Sequence, residues 1–401
     1  MSVSGIEELQ ALEARYAMPT YARAPVEFVR GRGCLLWDSE GREYIDFFSG
    51  LSVHNAGHCH PAIVAAVRDQ VGELAGSSNL YYSSPAIQLH AKLSEASLGG
   101  RVFLCNSGTE ANECAIKLAR RHAHQRGVDR PEIVVLDGGF HGRTLGALSA
   151  TVRLADEELF GPLLEGFVLV PRDDPTALGV AVGERTAAVL LEPVQGEAGV
   201  HPIGDDVLGA AREACDRSGA LLVFDEIQTG MGRTGELWAY ELGPAMPDVL
   251  TAAKALGGGL PVGACVTAPA VGEGLGLGEH GSTFGGGSVA ARAALAALEV
   301  LSEPSLLASV RDLGKLLERR CVDIDGVEQV RRRGLMVGLG LRDGIDSREV
   351  AEAALQSGLV VNAPNPRTVR LLPPLVVAEA EVIGGCDRLA EALERTRRNA
   401  A

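Results

Sequence analysis

Residues 220–264 read ALLVFDEIQTGMGRTGELWAYELGPAMPDVLTAAKALGGGLPVGA, and the rest of the chain is organised around them. The opening run, Ala220-Leu221-Leu222-Val223-Phe224, has the length and make-up of a strand buried on both faces. It stops at Asp225-Glu226 and passes into the glycine-rich Thr229-Gly230-Met231-Gly232-Arg233-Thr234-Gly235. A carboxylate at the C-terminal end of such a strand lies where open α/β sheets place their ligand sites. Lys254 is the one charge in the segment Val249 to Val266 and comes just before Gly257-Gly258-Gly259. Poor solvation disfavours its ammonium form and frees its amine as a nucleophile. Singly, a turn-capping aspartate and a surface lysine explain these residues as well. Together, a buried acid and a desolvated lysine are what pyridoxal phosphate asks of a protein: a covalent link through the amine, and an acid that keeps the pyridine nitrogen protonated.

Other strand–loop–helix passages flank this stretch. Arg101 to Cys105 reads as a buried strand, and Asn106-Ser107-Gly108-Thr109-Glu110 leads into a helix running to about Gln125. Free N–H groups, two hydroxyls and the helix dipole there make an anion cradle, and the same residues make a well-formed N-cap. Ile133 to Asp137 is a further strand, followed by Gly138-Gly139-Phe140-His141-Gly142-Arg143-Thr144. Glycines around Phe140 suit a ring laid on a planar ligand, and Arg143 can clamp a carboxylate bidentately. Ala187 to Leu191 leads into Glu192-Pro193-Val194-Gln195-Gly196-Glu197. Gly281-Ser282-Thr283-Phe284-Gly285-Gly286-Gly287 is a second hydroxyl-and-glycine loop, equally readable as a connector. Thr368-Val369-Arg370-Leu371 puts an arginine in an apolar strand, where it needs an anionic partner.

Elsewhere, Ile6 to Tyr16 has helical spacing, and Val26 to Phe48 reads as a small antiparallel unit with turns at its glycines. In Gly57-His58-Cys59-His60-Pro61 the histidines lack third and fourth ligands at sensible spacing, so a turn before a helix is expected, and no metal. Ser77 to Tyr82 reads as a substrate mouth or as core packing. From Val289 the texture shifts to alanine- and leucine-rich helix.

The 401 residues carry a net charge of -15, which argues against nucleic-acid or anionic-membrane partners. Fifty glycines exceed the usual share of about 7% and suggest tight turns and close backbone approaches. Eight scattered cysteines without a Cys-x-x-Cys pair look like reduced, cytoplasmic usage. The N-terminal stretch lacks an apolar signal region, and no apolar segment nears the roughly 20 residues of a membrane span.

The motifs at Asn106–Glu113, Phe140–Thr144, Glu192–Glu197, Asp225–Gly235 and Lys254–Pro261 resemble class III aminotransferases, most of all the acetylornithine branch. The similarity runs in order from Pro25 to Pro374. It implies the α/β architecture of fold-type I pyridoxal-phosphate transferases. A large domain, 47–288, would hold a mostly parallel sheet wrapped by helices. A small α+β domain would come from both chain ends, 1–46 and 289–401. It also implies a homodimer with sites at the interface.

Carried over by position, the resemblance implies that Lys254 binds the cofactor and shuttles a proton, that Asp225 pairs with the pyridine nitrogen, and that Gln228 approaches the ring hydroxyl. Ser107, Gly108 and Thr109 would hold the phosphate with Thr283 of the other subunit, and Phe140 would stack on the ring. Arg143 and Arg370 would clamp carboxylates, and Glu197 would neutralise Arg370 for one substrate and swing away for glutamate. Leu51 stands where ornithine-specific members carry a tyrosine, which favours an Nα-blocked donor. The implied cycle is ping-pong, with N-acetylornithine as donor and 2-oxoglutarate as acceptor, forming glutamate. The loop after Thr283 departs from the usual Phe-Gly-Gly-Asn-Pro.

Alternatives within the class are succinylornithine, ornithine, 4-aminobutyrate or a diamine. Asp225-Glu226 also looks like the Walker B acid of an ATPase, but no Gly-x-x-x-x-Gly-Lys-[Ser/Thr] loop is present. A non-catalytic binding protein on this fold would have lost Lys254 or Asp225, and both remain.

Overall fold

The computed structural model describes residues 5–151 and 158–400. Strands β1 (Phe28–Arg32), β2 (Leu35–Asp38) and β3 (Glu43–Asp46) form the expected antiparallel unit. The central sheet has seven strands: β4 (Val102–Cys105), β5 (Glu132–Leu136), β6 (Phe167–Val170), β7 (Thr186–Leu191), β10 (Leu221–Asp225), β11 (Val249–Ala252) and β12 (Gly263–Thr267). Their spatial order is β4-β12-β11-β10-β7-β5-β6. The four pairings from β11 to β6 are parallel, while β12 runs antiparallel to both neighbours. Every residue of β7, β10, β11 and β12 is buried, which accounts for their mostly apolar character.

The chain order reverses between β5 and β7: β5 leads outward to β6, whereas β7 leads the other way to β10. Asp225 ends that strand, so it sits at the carboxyl edge where such sheets bind ligands. A two-stranded ribbon, β8 (Val194–Gln195) with β9 (His201–Pro202), follows β7 and holds Glu197 in its connection.

The late part of the chain forms an antiparallel sheet, β13 (Val327–Arg333), β14 (Met336–Leu341), β17 (Thr368–Leu371) and β16 (Asn362–Asn365), in that spatial order. Between them in sequence, β15 (Leu359–Val360) pairs in parallel with β3, so both ends of the chain share one sheet. The helix Ser288–Leu301 packs against the helices Pro61–Glu73 and Ser84–Glu95.

Arg233, fully buried, ties these parts together. Its Nε donates to Ser52 Oγ at 2.9 Å, its Nη2 to Asn55 Oδ1 at 2.6 Å, and its Nη1 to the carbonyls of Leu335 and Pro373 at 2.9 and 2.7 Å. Burial lowers its pKa to about 9, and five acceptors, with Ser49 Oγ at 3.4 Å from Nη2 the fifth, compensate the buried charge. These contacts brace the run Ser49-Gly50-Leu51-Ser52, whose φ angles of 41°, 59°, 63° and 71° are all left-handed. Such angles cost non-glycine residues about 1–3 kcal/mol each and persist only where surroundings fix them. Asp46 Oδ1 helps by accepting from the N–H groups of Phe48 and Ser49.

Two readings take definite form. Tyr81 and Tyr82 are 72% and 95% exposed, so core packing does not explain them. His58 gives a ring nitrogen to Asp46 Oδ2 at 2.7 Å and serves the turn. Among the described residues, no single helix is long and apolar enough to cross a membrane.

Candidate active site

At the carboxyl edge of β10 lies a cavity of about 470 Å³. Its lining gathers Ser107, Gly108, Thr109, Phe140, Arg143, Glu197, Asp225, Gln228 and Lys254 from segments far apart in sequence. Arg370 lies behind Glu197 and is joined to it by hydrogen bond. Thr283 is exposed and stands outside the lining, and so does the half-buried Leu51, although Val53 contributes.

Ser107 caps the 18-residue helix Gly108–Gln125, and its Oγ accepts from Glu110 N at 3.3 Å. The first N–H groups of that helix face the cavity with the positive end of its dipole. A Cβ on Gly108 would come within 2.8 Å of Ile227 Cδ1, so a side chain there would have to displace Ile227. Thr109 Oγ1 meets Thr144 Oγ1 at 2.8 Å at the rim.

Lys254 is half-buried in the cavity wall and has φ of 48°, another left-handed non-glycine backbone. Burial pushes its amine down to about 8, opposed by the nearby Glu197 carboxylate. The neutral amine is therefore far more accessible near physiological pH than that of an ordinary lysine, although the ammonium still predominates below about pH 8. Glu192 is buried opposite, and burial raises its carboxyl to about 7. Its Oε2 accepts from Phe140 N at 3.0 Å, which fixes the backbone under the aromatic ring.

Asp225 Oδ2 accepts from Asn112 Nδ2 at 2.7 Å and lies 2.8 Å from His141 Nδ1. Burial opposes charge on His141, but its bond to Asp225 outweighs this and holds its pKa above the usual histidine value. Its Nε2 is buried with no hydrogen-bond partner among the described residues.

Arg370 on β17 is fully buried. Its Nη1 donates to Glu197 Oε1 at 2.8 Å and Gln228 Oε1 at 3.2 Å, while Nε and Nη2 share Asn362 Oδ1 at 3.1 and 2.6 Å. Burial alone would raise the Glu197 pKa, yet the Arg370 charge brings it below the ordinary value, so the pair is ionised. A Cβ on Gly196 would strike Gln228 Oε1 at 1.9 Å, so only glycine lets this cluster close. Arg143 is exposed at the mouth, its guanidinium 5.3 Å from the Phe140 ring centre, with no ion-pair partner among the described residues.

Sequence reading missed Asn112, the His141–Asp225 bond and the role of Glu192. The only available signal was polarity at positions where helix and loop patterns call for apolar residues.

A helix N-terminus with hydroxyls, a buried acid at a strand end, an aromatic on a braced backbone and a half-buried lysine with a lowered pKa fit pyridoxal 5′-phosphate as a set. Residues 16–393 match the family model for aminotransferase class III, and the chain belongs to that family, whose members depend on this cofactor. The chain is 42% identical to an acetylornithine aminotransferase of Methanocaldococcus jannaschii over 96% of either protein. It is also 42% identical to a Pseudomonas aeruginosa protein named succinylornithine transaminase/acetylornithine aminotransferase, over 95% of this chain and 96% of that one. Among solved structures, the ornithine aminotransferase of Toxoplasma gondii superposes with a TM-score of 0.94 at 31% identity, covering 99% of this chain and 97% of that one.

Proposed function

We propose that the chain moves the δ-amino group of N2-acetyl-L-ornithine to 2-oxoglutarate, giving N-acetyl-L-glutamate 5-semialdehyde and L-glutamate, as a cytoplasmic homodimer serving arginine biosynthesis. The observation that carries this reading is the ionised Glu197–Arg370 pair beside Lys254. One pocket must accept a carboxylate next to the amine in glutamate and an uncharged chain next to the amine in the other donor. A carboxylate that covers the arginine in one half-reaction and withdraws in the other avoids an unpaired buried charge in both.

When bound, the cofactor supplies the electron sink and carries the amino group between the two halves of the cycle. Asp225 would hold the proton on the ring nitrogen, Gln228 would approach the ring hydroxyl, and Phe140 would lie against the ring face. Ser107, Gly108 and Thr109 hold the phosphate, joined by Thr283 of the second copy; its exposed position in a single chain supports a contribution in trans. Lys254 Nζ takes the proton from the carbon that bears the amino group and returns it on the other side of the reaction, a task matched by a pKa of about 8. Arg370 receives the α-carboxylate of glutamate, and Arg143 at the mouth receives the distal carboxylate.

We also propose the domain division 1–46, 47–288 and 289–401. The β3–β15 pairing supports joining the ends, with the helix Ser288–Leu301 bridging onto the large domain. A second donor, succinylornithine, has support in the double name of the Pseudomonas aeruginosa relative.

Single-turnover absorbance of the yellow protein, with N-acetylornithine, succinylornithine, ornithine and 4-aminobutyrate offered separately, tests the assignment. Fastest bleaching with N-acetylornithine is expected. Faster bleaching with another amine would reassign the substrate, and absence of colour after adding pyridoxal phosphate would overturn the reading of Asp225 and Lys254.

A further inference from the structure

The register of the central sheet sets Asp225 beside Thr251, and one residue from another element binds both. Asn112 lies in the second turn of the helix Gly108–Gln125 and is fully buried between Ala111 and Cys114. Its Nδ2 donates to Asp225 Oδ2 and to the His141 carbonyl, both at 2.7 Å, and its Oδ1 accepts from Thr251 Oγ1 at 2.8 Å. The partners dictate this orientation, since a turned amide would set its oxygen against a carboxylate and a carbonyl. With His141 Nδ1 at 2.8 Å, Asp225 Oδ2 has two donors, while Oδ1 takes only the Ile227 N–H at 3.1 Å. Rotating the buried carboxylate would break bonds at both oxygens.

We propose that Asn112 is a positioning residue that fixes the rotation of the Asp225 carboxylate and so aims it as an acceptor for the ring nitrogen of the cofactor. The inference rests on the reading of Asp225 given above. Asparagine alone among side chains of its size meets all three partners. Leucine would orphan the Thr251 hydroxyl and the His141 carbonyl, and aspartate would press a second carboxylate on Asp225. The other charges around the site, Glu192, Glu197 and Lys254, reach Asp225 from different segments and none is bonded to it.

The test compares Asn112→Ala, Thr251→Val and Asp225→Ala. The readouts are the dissociation constant for pyridoxal phosphate, the pH at which bound-cofactor absorbance changes, and the His141 imidazole titration by NMR in cofactor-free protein. Loss of a hydrogen bond to a charged group predicts cofactor binding weaker by about tenfold or more in Asn112→Ala. A displaced absorbance midpoint, a displaced His141 titration, and a fall in kcat with KM near the parent value are expected with it. Thr251→Val, which only releases the far end of the amide, should change each in the same direction by less. Parent-like cofactor binding and absorbance in folded Asn112→Ala, while Asp225→Ala loses the cofactor, would overturn the inference alone. Parent-like binding in Asp225→Ala would overturn the reading of Asp225 itself. If Asn112→Ala does not fold, Thr251→Val decides, and parent-like behaviour there overturns the proposal.

Discussion

Arg370 and Glu197 meet at 2.8 Å with the guanidinium side chain 0% exposed and the carboxylate side chain 27% exposed. The buried partner is also held by Asn362 and Gln228, whereas the partly exposed one has a path to solvent. The arginine is therefore the fixed member of the pair and the glutamate the movable one.

Glu197→Ala should slow the half-reaction with N-acetylornithine more than the half-reaction with glutamate, whose own carboxylate can take the vacated place on Arg370. Loss of a hydrogen bond to a charged group should also lower stability by roughly 1–3 kcal/mol, less what Asn362 and Gln228 retain. Stopped-flow absorbance of each half-reaction checks the first part, and equal slowing of both would remove Glu197 from the switching role.

Lys254→Ala should abolish turnover and covalent cofactor attachment while the protein stays folded. Lys254→Met carries a pH signature. The amine falls from its ordinary 10.5 to about 8 on folding, so between these values the unfolded chain binds more protons and stability rises with pH. Below about pH 8 the poorly solvated ammonium costs on the order of 3 kcal/mol. The cofactor-free Lys254→Met protein should thus be more stable than the parent at pH 7, with the advantage fading towards pH 10.5. Chemical denaturation at several pH values measures it, and an advantage independent of pH would contradict the lowered pKa.

Gly108→Ala directs a methyl group at the Ile227 side chain, which can turn aside. Thermal stability should fall only slightly, by about 1 kcal/mol or less, since a flexible side chain absorbs the contact. Cofactor affinity should drop about tenfold as the displaced Ile227 side chain, which also lines the cavity, intrudes on the cofactor's space. Equilibrium dialysis with pyridoxal phosphate and thermal unfolding separate the two effects; unchanged affinity would remove Gly108 from the cradle.

Thr283 offers a test of the shared site. In a dimer of one Lys254→Ala chain and one Thr283→Ala chain, one site carries both defects and the other carries neither. Tagged co-purified heterodimers should show about half the parent activity with parent cofactor affinity in the active half. Affinity as weak as that of the Thr283→Ala homodimer would mean that Thr283 acts within its own chain.

The strand-end acid and the lysine were legible because apolar runs on either side leave a charge no ordinary role. The left-handed run at Ser49–Ser52 was not, because nothing local favours it; contacts from Asp46, Arg233 and the Leu372 carbonyl impose it. Glu226, adjacent to Asp225, shows how local pattern misleads. It accepts from Thr229 Oγ1 and from the N–H groups of Ala239 and Tyr240, and so serves the loop and not a nucleotide. The Glu197–Arg370 contact spans 173 residues and entered only through the family resemblance. Asn112 escaped because a helical pattern records which face is buried, and not which atoms wait there.

The buried guanidinium of Arg233 fixes an order of events. Its carbonyl partners, Leu335 and Pro373, lie 102 and 140 residues downstream, so a chain growing from the ribosome makes the Asp225–Arg233 loop long before it makes what holds it. A product truncated before Pro373 would leave that buried guanidinium short of an acceptor, at the cost of an uncompensated charge beside the active-site edge.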